Sequence, residues 1–195
     1  MLVPARDEGF KSPLGHSDGG HMQIDEALSL IREIPDYPKP GIRFQDITPL
    51  LGDADAFAAV VKAMSASDFT HDAVAGIEAR GFILGSAIAI DKRLPFMPIR
   101  KKGKLPHTVI SREYSLEYGT AEIEIHIDAF KPGQRVLLVD DVLATGGTLL
   151  AAIALVAETG ASVTDVALLS EISVLQGREK ISEIYPEIRI HTLLS

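Results

Sequence analysis

Cysteine is missing from all 195 residues. That excludes disulfides and thiolate-held metals, and it fits a reducing compartment such as the cytoplasm. Long apolar runs are missing too, since no uninterrupted stretch reaches the ~18–20 residues of a membrane-spanning helix. Positive charge is in the minority, with 19 Lys and Arg against 27 Asp and Glu, a net charge of -8. Such a chain has no basic field to hold nucleic acid without sequence preference, and no membrane partner is expected. Internal repeats and low-complexity tracts are absent as well. His71, His107, His126 and His191 lack metal-ligand spacing such as His-Glu-x-x-His, and they read as surface or strand residues. Of these only His107 lies in a segment that could meet a substrate. No strand is followed by Gly-x-x-x-x-Gly-Lys-Ser/Thr or Gly-x-Gly-x-x-Gly, so the usual nucleoside-triphosphate and dinucleotide sites are excluded.

What remains is a globular composition, 46% hydrophobic and 24% charged, able to bury a core. Residues 1–22, rich in glycine and charge, read as an extension or tag-like tail with no apolar segment like that of a signal peptide. His16 and His21 fall in it as solvated residues, and 23–195 reads as a single domain. The spacing of Ile24, Leu28, Ile31 and Ile34 predicts an amphipathic helix over 23–34, stopped by the prolines of "PDYPKPGI". Helices are expected over 54–64, 82–90 and 149–157, and strands over 73–78, 94–99, 121–127, 135–140, 163–169 and 188–194. The prolines of "LPFMPI" are expected at that strand's ends, where they are tolerated. Strict alternation in "AEIEIHI" predicts a half-exposed strand, and 101–120 reads as a long polar loop with some strand at its base. Strands alternating with helices imply an α/β fold, a mostly parallel central sheet flanked by helices.

One stretch does not serve a core. In "RVLLVDDVLATGGTLL", residues 135–150, a buried strand runs into Asp140 and Asp141 and then into Ala144-Thr145-Gly146-Gly147-Thr148. Ligands of open α/β sheets sit beyond the carboxyl ends of the strands. The first amides of the following helix favour an anion, and two glycines let backbone approach it closely, with threonine hydroxyls as further donors. A loop of this kind suits a monophosphate. The acids would repel phosphate, so they call for sugar hydroxyls or a divalent cation. Together they read as a ribose 5-phosphate cradle.

"VLLVDDVLATGGTL" resembles the phosphoribosyl-pyrophosphate signature of the type I phosphoribosyltransferases. "IPDYPKPGIRFQDITPLL", "GIEARGF", "RKKGKLPHTVISREYSLEYGTAEIEIH" and "LQGREK" extend the likeness, in order and spacing, to the adenine phosphoribosyltransferases over 24–180. The resemblance implies a purine salvage enzyme that joins adenine to phosphoribosyl pyrophosphate, giving AMP and pyrophosphate with magnesium. It implies an N-terminal hood over about 23–52, in which Phe44 stacks on the base while backbone groups of Arg43 and Gln45 read its edge. A basic residue is frequent where Gln45 stands, so recognition there would rest on backbone. Asp140 and Asp141 are implied to meet the ribose hydroxyls, partly through magnesium and water, and Ala144 to Thr148 to hold the 5-phosphate. Glu78 and Arg80 match the pyrophosphate loop. The basic run Arg100, Lys101, Lys102 and Lys104 would clamp pyrophosphate, part of it in a neighbouring subunit, so a homodimer is implied. Glu117, with Tyr118 beside it, is implied to close over the substrates and act on the base.

Two alternatives stand beside this reading. One is an enzyme of the same fold for another base, which the hood and "LEYG" disfavour. The other is a phosphoribosyl-pyrophosphate-sensing regulator that binds nucleic acid. It would need a basic helix-turn-helix, and none precedes the first sheet strand.

Overall fold

The computed structural model describes residues 22–37, 39–41, 43–65, 70–115 and 119–195. In chain order the elements are α1 (Ile24–Leu28), β1 (Arg32–Pro35), β2 (Arg43–Asp46), α2 (Thr48–Leu51), α3 (Ala54–Met64), β3 (Ala73–Ile77), α4 (Arg80–Lys92) and β4 (Phe96–Lys101). They continue with β5 (Val109–Ser115), β6 (Thr120–His126), β7 (Arg135–Leu143), α5 (Gly147–Glu158), β8 (Ser162–Glu171), α6 (Gly177–Ile184) and β9 (Arg189–Leu194). Seven strands form one sheet in the order β5-β6-β4-β3-β7-β8-β9. From β4 to β9 neighbours run parallel, and β6 and β5 add an antiparallel edge. β1 and β2 pair as a separate antiparallel ribbon, the hood.

Alternation along buried strands feeds two cores, as the two-residue period of a strand requires. Ala73, Ala75, Val136 and Leu138 point to the side packed by α5 and α6, with Leu155, Val156 and Ile181. Val74, Leu137 and Val139 point to the side of α3 and α4, with Val60, Leu84 and Ile88. Asp53 opens α3 by accepting hydrogen bonds from the amides of Asp55 (3.0 Å) and Ala56 (2.9 Å), satisfying two donors that the helix leaves unpaired.

Among the elements that differ from the sequence expectation are the following four. The helix expected over 23–34 ends at Leu28, and Arg32–Pro35 is a strand instead. Pro35 disfavours the helical region at Ile34, and pairing of Ile34 with Phe44 captures the extended chain. The loop expected over 101–120 contains all of β5, which pairs with β6 from Val109–His126 to Ser115–Thr120. β6 is not half-exposed: Ile123 and Ile125 enter the core, and Glu124 on the other face is buried as well. Pro98 lies inside β4 rather than at its end, opposite Gly76. β6 joins β4 only at Arg100 and Lys101, so the missing amide breaks no ladder there.

Candidate active site

β7 continues through both acids to Leu143, three residues past its expected end. Adjacent strand residues face opposite sides. Asp140 therefore lines one cavity, of 150 Å³, closed by the loop Ala144–Gly146 and the first turn of α5. Asp141 lines another, of 180 Å³, roofed by Arg43, Phe44 and Gln45 of β2 and walled by Leu169, Ser170 and Glu171 of β8. The acid pair read from sequence as one unit thus serves two adjoining chambers.

The first chamber is formed by the residues expected to make the cradle. Gly146 takes φ 81° and caps α5, whose first residue is Gly147. Thr145, Gly146, Gly147 and Thr148 all line it, as does Ala144. Behind the loop stands Gly177, the first residue of α6, where an added Cβ would collide with the Ala144 carbonyl. Lys180 Nζ donates to the Thr145 carbonyl at 3.5 Å. The Asp140 carboxyl accepts from the Asp141 amide at 2.9 Å. Burial first, and then the charge of Asp141, push it well above the usual carboxylate range.

The second chamber is held together by Arg80. Its guanidinium pairs with Asp141 at 2.7 Å, donates to the Gln45 carbonyl at 3.4 Å and lies 5.3 Å from the centre of the Phe44 ring. One side chain at the start of α4 thereby ties the hood to the end of β7. Tyr37 meets Phe44 edge-on at 5.2 Å. The Arg43 side chain turns outward to Glu33 at 3.3 Å. Glu171 is fixed by Arg178 of the "LQGREK" stretch (Nε 2.9 Å), which also donates to the Ile190 carbonyl at 2.8 Å.

Glu78 and Arg80 flank Ala79, and the Glu78–Ala79 peptide is cis. Glu78 does not face solvent as a free acid. It accepts from Arg100 Nε at 3.1 Å, Arg100 Nη2 at 3.3 Å and the Lys101 amide at 3.1 Å. The Arg100 hydrogen bond, set against burial, holds its carboxyl below the usual range. Lys102 pairs with Glu122 at 2.7 Å, and the amide of Lys104 donates to Glu124 at 2.8 Å. The structure thus gathers Arg43, Phe44, Gln45, Arg80 and Asp141 in one chamber, and Asp140 and Ala144–Thr148 in the other. It places Glu78, Arg100, Lys101, Lys102 and Lys104 in a neighbouring group. Glu117 and Tyr118 lie outside the described residues, as do His16 and His21.

Sequence reasoning missed several residues. Ser170, Glu171 and Ile172 wall the chamber under the hood, and Glu171, an acid at a strand's carboxyl end, carried the same signal as Asp140. Gly177 backs the cradle. His71, expected at the surface or in a strand, is buried, with Nε2 2.7 Å from Asp165. His107 packs edge-on against His126 at 6.1 Å.

The family model for the phosphoribosyl transferase domain matches residues 50–190. The adenine phosphoribosyltransferase of Acidothermus cellulolyticus is 54% identical over 154 residues, spanning 77% of this chain and 86% of that one. The chain belongs to the adenine phosphoribosyltransferase family. Solved structures of that family superpose on it. The enzyme from Thermoanaerobacter pseudethanolicus gives a TM-score of 0.82 at 45% identity, covering 88% of this chain and 99% of that one. The enzyme from Giardia lamblia, solved with 9-deazaadenine, gives 0.81 at 39% identity, covering 89% and 98%. The seven-stranded sheet flanked by helices is the type I fold of these relatives.

Proposed function

We propose that this chain transfers the 5-phosphoribosyl group of phosphoribosyl pyrophosphate to adenine, forming AMP and pyrophosphate. The observation that carries the reading is the pair of chambers meeting at Asp140 and Asp141. A glycine-rich loop at the start of α5 lies on one side, and a hooded, partly aromatic cavity lies on the other. The bond from the sugar's anomeric carbon to pyrophosphate breaks, a bond to a ring nitrogen of adenine forms, and that nitrogen loses its proton. Phe44 stacks on the base, and backbone groups of Arg43 and Gln45 read its edge, which agrees with the outward turn of the Arg43 side chain. The Ala144–Thr148 loop holds the 5-phosphate. Glu78, Arg80, Arg100, Lys101 and Lys104 form the pyrophosphate side. Glu117 accepts or relays the purine proton on closure of its loop, with Tyr118 beside it, and closure keeps water from the cationic sugar.

Asp140 and Asp141 offer only oxygen donors, the kind magnesium takes, and each faces its own chamber, so an ion carried in by the substrate would be met by them separately rather than closed between them. They would hold it, partly through water, and when bound it would offset the charge of pyrophosphate. We read 23–195 as one domain, because Ala27, Ile47 and Leu50 share a core with Val74 and Leu84. A homodimer is part of the reading. Ile90, 80% exposed, and Ile83 line an apolar groove with Phe57 and Val61 between α3 and α4, and α4 begins at Arg80. A cytoplasmic setting fits the absence of cysteine, and among the described residues no helix is long and apolar enough to cross a membrane.

Incubation with phosphoribosyl pyrophosphate, magnesium and each purine in turn, with products identified by mass, tests the activity. AMP should form from adenine and stop with excess chelator. Equal turnover of hypoxanthine, or full activity without a divalent ion, would sink the reading.

A further inference from the structure

Of the four cations at the end of β4 and beyond it, two are engaged inside the protein. Arg100 is held by Glu78 and Lys102 by Glu122, whereas Lys101 and Lys104 form no ion pair among the described residues. Lys101 and Lys104 flank a turn whose shape depends on a buried acid. Gly103 takes φ +78°, in the left-handed region, and the chain then presents three successive amides to one carboxylate. Lys104 and Leu105 each donate to Glu124 Oε1 at 2.8 Å, and the Gly103 amide bonds the same carboxylate. Successive amides around a left-handed residue make a concave anion site, and here the chain's own side chain fills it.

Glu124 is 3% exposed. Burial pushes its pKa up, and the three amide bonds more than offset this, leaving the carboxylate below its ordinary range. A lysine partner would also have satisfied the buried charge, but it would have consumed a cation. Amide partners keep Lys101 and Lys104 available. Arg100, the β4 residue that pairs with Glu124 across to β6, donates from Nη1 to the Lys104 carbonyl at 3.2 Å while its fork holds Glu78. The turn is thereby coupled to the loop that carries Arg80.

We propose that Glu124 is a positioning residue for pyrophosphate: from β6 it presets the turn at 102–105, so that Lys101 and Lys104 stand beside the Glu78–Gly81 loop before the ligand arrives. The proposal rests on the reading of that turn as the pyrophosphate clamp. Without Glu124 the turn would be ordered at the moment of binding, and that loss of freedom would weaken affinity.

The test uses the intact chain carrying Glu124→Gln, Glu124→Ala or Gly103→Ala, with a Lys101→Ala/Lys104→Ala double variant as reference. Gln keeps an acceptor oxygen, and Ala removes it. Gly103→Ala attacks the turn from outside, where a Cβ would meet nothing within 4 Å and only the positive φ opposes it. Calorimetric titration with magnesium pyrophosphate is read beside KM for both substrates, kcat and melting temperature. Glu124→Ala and Gly103→Ala should weaken pyrophosphate binding and raise KM for phosphoribosyl pyrophosphate about tenfold, with adenine KM and kcat within about twofold. Glu124→Gln should stay within about threefold of wild type. Losses in all constants that track melting temperature would make Glu124 a structural residue and overturn the proposal. Wild-type binding by Gly103→Ala would overturn it even where Glu124→Ala does not fold. Wild-type binding by the double lysine variant would remove the clamp reading and this proposal with it. Failure of the wild type to make AMP would sink the activity alone, because pyrophosphate binding by the variants is read without turnover.

Discussion

Burial and the charge of Asp141 both push the Asp140 carboxyl upward, whereas sugar or magnesium binding calls for it ionised. The two demands have opposite signs in stability. A carboxyl whose folded pKa lies above its unfolded value favours the fold when protonated, and that contribution is lost as pH rises through the folded pKa. At neutral pH Asp140 therefore strains the free protein. Asp140→Asn cannot ionise, yet its amide oxygen can still accept from the Asp141 amide. It should raise the melting temperature at pH 7, by roughly 2–4 °C for each kcal/mol relieved, while lowering kcat/KM about ten- to a hundredfold. Calorimetry and steady-state kinetics on one preparation check both signs. A variant that is less stable and fully active would show Asp140 to be structural. Asp141→Asn is expected to differ, since it takes the ion partner from Arg80 and so loosens the hood as well as the sugar site.

The β5–β6 hairpin is the element that carries Glu117. Its strands pair as far as Ser115 and Thr120, on either side of residues 116–118. If Glu117 acts on the base in the transition state, Glu117→Gln should lower kcat more than it raises KM for adenine, and Glu117→Leu should be worse. Phosphoribosyl-pyrophosphate affinity without base should hold steady in both. A large loss of that affinity with unchanged turnover would move Glu117 to the sugar or pyrophosphate side. Elements differed in how legible they were, for physical reasons. β7 and α5 were plain because burial on both faces writes a continuous apolar run. The segment after Leu28 was misread because Ile31 and Ile34 fit a helical stripe, and the deciding features were Pro35 and a strand partner ten residues on. β6 was misread because alternation signals a wet face only when nothing covers it, and the turn that covers Glu124 is remote in sequence. Gly177 was invisible, since its collision with Ala144 exists only in three dimensions.

At the scale of the whole sheet, chemistry gathers at the carboxyl ends of the strands and a charge network at the amino ends. Asp165, 1% exposed, accepts from His71, from His191 at 3.0 Å and from Arg189 at 2.8 Å, tying β8 to β9 and to the lead-in of β3. Against the cost of burial these partners lower its pKa to about 2. A depressed carboxylate contributes stability above its unfolded value near 4 that is lost as pH falls through 2, about 2 kcal/mol in all. Asp165→Asn should therefore lower stability at pH 7 and flatten the decline between pH 4 and 2, as urea titrations would reveal. An unchanged acid limb would contradict this. The proposed homodimer has its own test. Ile90→Glu should shift sedimentation to the monomer, and mixing Asp141→Asn and Lys104→Ala subunits, assayed with phosphoribosyl pyrophosphate far below its KM so that each variant alone is weak, should raise activity to about a quarter of wild type if the lysine acts across the interface. No recovery would place Lys104 in its own subunit's site. The residues lining the first chamber could be read from the sequence because they are contiguous, but not the far wall of the chamber under the hood, which comes from β8, about thirty residues on. Since Asp140 and Asp141 face opposite sides, the end of β7 acts as a partition between two rooms. The room under the hood can then be refurnished, at Ser170 or Ile172 for instance, to admit a different base. The cradle next door would keep its tenant.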